Sequence, residues 1–182
     1  MLHVLFVWTV NLLFHPSLLH VGLLPLFGMY WYDTVTEQST SASAATNVAL
    51  LGITGIAGFR GQIRRLQCGP NTNATDVQVR IRLVRTTTLL TAGTGITPMP
   101  AQNDQPAASA VATTAPTAGS RSAVPSVQLA FNTRGTGLWF ATIEEEAKGF
   151  VGATAPNGQF VVDSTQTGSV AVAVDTTLSH TE

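Results

Sequence analysis

The sequence predicts an all-β protein, a jelly-roll-like antiparallel β-sandwich with an extended apolar N-terminal arm, and three observations lead there. Residues 77–85 read Val-Gln-Val-Arg-Ile-Arg-Leu-Val-Arg, so Val77, Val79, Ile81 and Leu83 alternate with Gln78, Arg80 and Arg82. Neighbouring side chains of a pleated strand point to opposite faces, which makes this a half-buried strand with one wet, cationic face. Seven or eight short segments of this kind succeed one another with turn signals between them and no repeat of fixed period, which favours a sandwich over a solenoid or propeller. The third observation is Asn157-Gly158 between two apolar runs. That dipeptide is a strong hairpin signal because both residues tolerate positive φ.

Residues 1–32 hold no charged side chain, the first being Asp33. Windows 2–13 and 18–27 are strongly apolar, but Pro16 and Pro25 interrupt any continuous helix, whereas a membrane span needs roughly 20 apolar residues in a row. A secretory signal opens with a positive region, and the first cation here is Arg60. Three readings stay open: an extension ahead of a working start at Met29, a membrane anchor or signal, and an arm that docks on a neighbouring subunit. The expected division is therefore a 1–32 arm or extension and a 33–182 sandwich domain.

Within the body, the small polar stretch 39–46 leads into a buried strand at 47–54, closed by Gly52 and Gly55. A second strand at 61–68 ends at Gly69-Pro70-Asn71, and the turn 69–76 leads to the strand at 77–85. These two are expected to pair as a hairpin, and both carry arginines: Arg64 and Arg65 on one, Arg80, Arg82 and Arg85 on the other. Residues 86–125 are rich in Thr, Ala and Gly and contain Pro98, Pro100, Pro106, Pro116 and Pro125. So little apolar mass predicts a long loop with one strand at 109–113, available to wrap over a neighbour. Strands follow at 127–131, 138–143, 159–162 and 170–174, with 144–148 as a helical turn or charged loop.

Composition bounds the rest. A chain of 182 residues fits one well-buried core. Only 10% of its residues are charged, against about 25% in ordinary soluble proteins, so other copies or other proteins are expected to cover part of the surface. The formal net charge of −1 gives no overall attraction to nucleic acid or to an anionic membrane, and neither is expected as a direct partner. One cysteine, Cys68, excludes an internal disulfide framework and a cysteine-based zinc site, and is expected to pack as a small hydrophobe.

Acid–base chemistry finds little material. The run Glu144, Glu145, Glu146 reads as a solvated turn, because adjacent carboxylates diverge. Asp163 and Asp175 each follow an apolar strand and read as turn formers, although they are also a pair that folding could bring together. His180 is expected at a frayed end, and His3, His15 and His20 sit in the apolar arm without carboxylates. No nucleophile–base set assembles, so no enzyme, metal or cofactor is expected. The candidate contact residues are Arg64, Arg80, Arg82 and Arg85, suited to pairing with another subunit, and Trp139, a candidate interface anchor whose neighbour Phe140 points to the opposite face.

The succession of segments resembles the small β-rich virion proteins of tailed phages, head decoration or cement proteins among them. The matching stretches are the Thr/Ala/Ser-rich opening into Val48-Ala-Leu-Leu, Leu83-Val-Arg-Thr-Thr-Thr88, Gln105-Pro-Ala-Ala-Ser-Ala110, Phe131-Asn-Thr-Arg134 and Val170-Ala-Val-Ala-Val174. The resemblance spans 33–182. It implies a jelly-roll-like subunit on the outer surface of a capsid, bound to the major capsid protein, commonly a homotrimer, and stabilising the shell. The alternatives from other classes are a receptor- or carbohydrate-binding sandwich of a tail or fibre and a membrane-anchored surface protein.

Overall fold

The first strand was not anticipated from the sequence, and it shows why. In β1 (Trp31–Ser39) the buried side chains are Tyr32, Thr34 and Thr36, while Val35 between them is 59% exposed. The inward row is mostly threonine and the outward row mixes Val35 with Glu37, so a search for apolar periodicity passes over it. The computed structural model describes residues 29–40, 47–56, 58, 60–71, 76–91, 93–116, 119–132, 134–143, 146–152, 158–166 and 170–182. The apolar segment 1–28, Glu144, Glu145 and Asn157 of the expected hairpin turn lie outside the described residues.

The remaining strands are β2 (Val48–Thr54), β3 (Arg60–Pro70), β4 (Gln78–Arg85), β5 (Thr94–Ile96), β6 (Met99–Pro100), β7 (Val111–Thr114), β8 (Val127–Asn132), β9 (Gly137–Phe140), β10 (Lys148–Val151), β11 (Phe160–Gln166) and β12 (Ala173–Thr181). Among the described residues there is no α-helix. The strands form two antiparallel sheets. The first runs β10-β3-β12-β1-β6, with β9 sharing the same edge of β3 as β10, and the second runs β5-β7-β2-β11-β4-β8. The pairing is nested: β1 lies beside β12, β2 beside β11, β3 beside β9 and β10, and β4 beside β8.

The protein is thus an all-β, two-sheet sandwich, as its alternating segments predict. The expected hairpin of residues 61–68 with 77–85 does not form, because β3 belongs to the first sheet and β4 to the second. Each strand has an apolar inner row to bury, and opposite sheets place those rows face to face, which a simple hairpin would leave in one layer. The 86–125 segment carries three strands rather than one, and the last strand begins at Ala173 and runs to Thr181, beyond the expected 170–174.

Ile63, Leu66, Val174 and Leu178 from the first sheet pack against Leu51, Ile53, Val79, Ile81, Leu83, Phe160 and Val162 from the second, with Phe150 closing one end. Removing each such side chain from water contributes about 1.5–3 kcal/mol, the main term holding the sheets together. Cys68 is part of this core, as expected. Within the 86–125 segment, residues 86–90 and Arg121, which bridges to Thr86, fold back on the outer side of the second sheet. Thr86 donates its N–H to the Gln159 carbonyl at 3.0 Å, and Leu90 donates its N–H to the Gln159 Oε1 at 2.8 Å. Gly52 makes the close approach possible, since a Cβ there would stand 2.8 Å from Leu90 Cδ1 and 3.0 Å from Thr113 Oγ1.

Candidate interaction face

The register of β1, β12, β3 and β9 lays the outer face of the first sheet out in rows. One row reads Val35, Thr177, Gln67 and Leu138; the next reads Met99, Asp33, Ser179, Arg65 and Phe140. Val35 and Leu138 are each 59% exposed, Met99 70% and Phe140 48%. Large apolar side chains therefore stand outward on three strands of one sheet, β1, β6 and β9, with the polar Thr177, Gln67, Ser179 and Arg65 between them. Large exposed apolar side chains on one face, rimmed by polar groups, mark a place where another surface belongs.

Two bridges cross β12 on this face. Asp33 accepts a hydrogen bond from the Ser179 hydroxyl, and the Arg65 Nη2 lies 4.0 Å from the same carboxylate oxygen. One row along, Trp31 and Phe140 stack with ring centroids 6.4 Å apart and planes 10° apart. Ser179 and Thr181, between these strands, are consequently buried although they point away from the core.

The five sequence-selected residues do not gather into one patch. Arg64 is the extra residue of a bulge in β3, where the register against β12 shifts between Ser179 and His180. It is buried, with Nη2 donating to Gln62 Oε1 at 2.6 Å and 3.9 Å from the Met29 sulfur. Arg80, Arg82 and Arg85 all lie on β4 in the second sheet. Arg80 is exposed on the outer face, in the wet position its alternation predicts. Arg82, on the same face, grips Asp163 with Nε and Nη2 each 2.9 Å from a carboxylate oxygen, and Arg121 approaches the second oxygen at 3.6 Å. Arg85 lies at the strand end with its guanidinium 4.5 Å from the centre of the Phe160 ring, and donates to the Gly149 carbonyl of the first sheet at 3.2 Å.

Trp139 packs against the core and carries the Lys148 ammonium 5.8 Å from its ring, while its neighbour Phe140 takes the outward position. The opposite facing of the two was legible; which of them faces out was not. Asp163 is fully buried within β11, not a turn former at a strand end, and Asp175 lies on the other sheet, so the two do not meet. His180, expected at a frayed end, is fully buried in β12. Tyr32 and Phe150 pack against its ring, and the full pairing of β12 with β1 and β3 prevents fraying.

The outward residues that sequence reasoning missed, Val35, Met99, Leu138 and Phe140, left one signal. Gly137-Leu-Trp-Phe is apolar on both faces, the pattern of a strand covered on both sides. A groove of about 330 Å³ opens beside this face, lined by Tyr30, Trp31, Gln102, Asp104 and Gln105 among others. It combines two aromatic rings with amide and carboxylate groups. Among the described residues no group of three or more His, Cys, Asp or Glu side chains is placed to hold a metal ion. Burial pushes the Cys68 thiol up to about 12, against a smaller downward pull from its contact with the Thr176 hydroxyl, so the thiol is protonated at neutral pH. Comparison with protein-family models, with curated proteins and with solved structures returns no match.

Proposed function

We propose that this chain is a structural virion protein that decorates and stabilises a phage capsid, with its copies associating as a homotrimer through the outer face of the first sheet. The observation that carries the reading is the outward apolar set Val35, Met99, Leu138 and Phe140 on a chain with 10% charged residues. Closed three-fold association is heterologous, so this face of one copy meets a different surface of the next. The nested strand pairing supports the jelly-roll-like part of the reading, and the succession of segments that resembles decoration proteins supports the capsid as the shell. The work is mechanical: buried interface area, shared between copies and the major capsid protein, ties capsomers together.

Light scattering on the full chain tests the association, and addition to expanded empty capsids tests the destination. A trimer that Leu138→Asp and Phe140→Asp dissociate, and that binds capsids and raises their resistance to heat, is the expected result. A monomer at all concentrations, or a trimer indifferent to both substitutions, overturns the interface; failure to bind capsids overturns the shell.

The groove lined by Tyr30, Trp31, Gln102, Asp104 and Gln105 favours a second reading, a carbohydrate- or receptor-binding sandwich of a tail or fibre. Aromatic rings stack on the C–H face of a sugar while amide and carboxylate groups bind its hydroxyls. Glycan binding abolished by Trp31→Ala, with no capsid binding, would replace the first reading with this one.

A further inference from the structure

Where β1, β3, β10 and β12 meet at one end of the first sheet, His180 is fully buried on the inner side. Tyr32 stacks on its ring with centroids 5.4 Å apart and planes 21° apart, and Phe150 meets it edge-on at 5.6 Å. The His180 Nε2 lies 3.1 Å from Oε1 of Glu182. A carboxylate only accepts, so Nε2 carries the proton and Nδ1 is the bare nitrogen of the neutral ring. Nδ1 is buried and has no partner.

The same carboxylate accepts the Ser109 N–H at Oε2 and the Ala110 N–H at Oε1, both at 2.8 Å. The Tyr32 hydroxyl donates to the Pro106 carbonyl at 3.0 Å. Three bonds thus fasten residues 106–110 to the first sheet, immediately before β7, which belongs to the second.

We propose that His180, Glu182 and Tyr32 form an acid-sensitive latch, which holds residues 106–110 against the first sheet and releases them when His180 takes up a proton. This holds for the chain whatever shell or ligand it binds, and so stands apart from the proposed function. A second proton must sit on Nδ1, making a buried N–H with no acceptor, between two aromatic rings.

The charges that face the imidazole are few. Glu182 follows on its own strand, and β1 supplies the Tyr32 phenol and, further off, Asp33. From β10 comes the uncharged Phe150, with Lys148 placed over Trp139, and β3 sets Ile63 opposite in register while Arg64 and Arg65 lie on the outer face. The fastened residues 106–110 hold no ionisable side chain, and Asp104 ahead of them is exposed. Burial holds His180 below the ordinary histidine range despite the opposing pull of Glu182 and Asp33. A proton therefore favours whatever state exposes the ring. The latch is fully closed above the ordinary value of about 6.5, and below it the open population grows by up to about tenfold per pH unit until the lowered folded value is reached.

Amide hydrogen exchange on the full chain between pH 8 and 5, corrected for intrinsic exchange chemistry, reads the latch at Ser109 and Ala110. Protection at these two amides should fall as pH drops below about 6.5, by up to about tenfold per unit. His180→Gln keeps a donor for Glu182 but does not titrate, and should hold protection level across the range. Flat protection in the natural chain, or an equal loss in His180→Gln, overturns the latch. If that variant does not fold, the assigned His180 resonances of the natural chain decide: titration at or above the ordinary histidine value while both amides stay protected overturns it, and titration below that value together with loss of protection supports it.

Discussion

Arg82 and Asp163 face each other across β4 and β11, with the guanidinium Nε and Nη2 donating to opposite oxygens of a fully buried carboxylate at 2.9 Å each. Arg121 reaches the same carboxylate at 3.6 Å from the segment that covers this sheet. One anion is shared by two partly buried cations, and it ties the 86–125 segment to the sheet beneath it. Asp163→Ala leaves both guanidinium groups without their anion and should lower stability by about 3–5 kcal/mol, read by urea denaturation. A loss below about 1 kcal/mol would show that solvent replaces the carboxylate at no great cost.

Gly61 faces inward on β3 opposite the Phe150 ring, and a Cβ at this position would collide with the Cζ and Cε atoms of that ring. Phe150 is fully buried with nowhere to retreat. Gly61→Ala should therefore cost about 1–3 kcal/mol through overpacking. The companion Gly61→Ala/Phe150→Leu should recover part of it, and equal stability of natural chain and single variant would contradict the close packing.

Cys68 should be silent towards a thiol reagent in the native state and react fully in denaturant. Its sulfur is fully buried and its pKa is pushed up to about 12, so little thiolate exists at neutral pH. Colorimetric titration with and without guanidinium checks this; rapid native labelling would mean that the core opens.

Burial, helped by the charge of Glu182 and by Tyr30, pushes the Tyr32 phenol above its ordinary range. A raised folded value means the stability it contributes is fully present below about pH 10 and is lost as pH rises through the ordinary value towards the raised one. Tyr32→Phe removes this alkaline dependence and, by deleting the bond to the Pro106 carbonyl, lowers neutral stability by about 1 kcal/mol. Thermal melts from pH 7 to 11 compare the two; an unchanged alkaline limb in Tyr32→Phe would place the dependence on another group.

The sequence was most legible where burial falls on one face. Val79, Ile81 and Leu83 point inward and Arg80 and Arg82 outward because a two-residue period on a strand leaves no other choice. The same rule placed Trp139 and Phe140 on opposite faces. It could not say which faced the core, because both are apolar. β1 was invisible for a related reason, its inward positions being threonines beside Tyr32.

The sequence by itself determined the class of fold, since alternation, turn residues and the lack of helical periodicity are local properties of the chain. Its low charge is likewise readable without any structure. The tertiary structure alone decided the partners: β3 with β12 instead of β4, Asp163 with Arg82, and His180 with Glu182 and Tyr32. The physical reason is separation along the chain. Arg82 and Asp163 stand 81 positions apart, and Asp33 and Ser179 146. Such pairs are brought together by the sheets burying their inner faces, a global balance that no local pattern records.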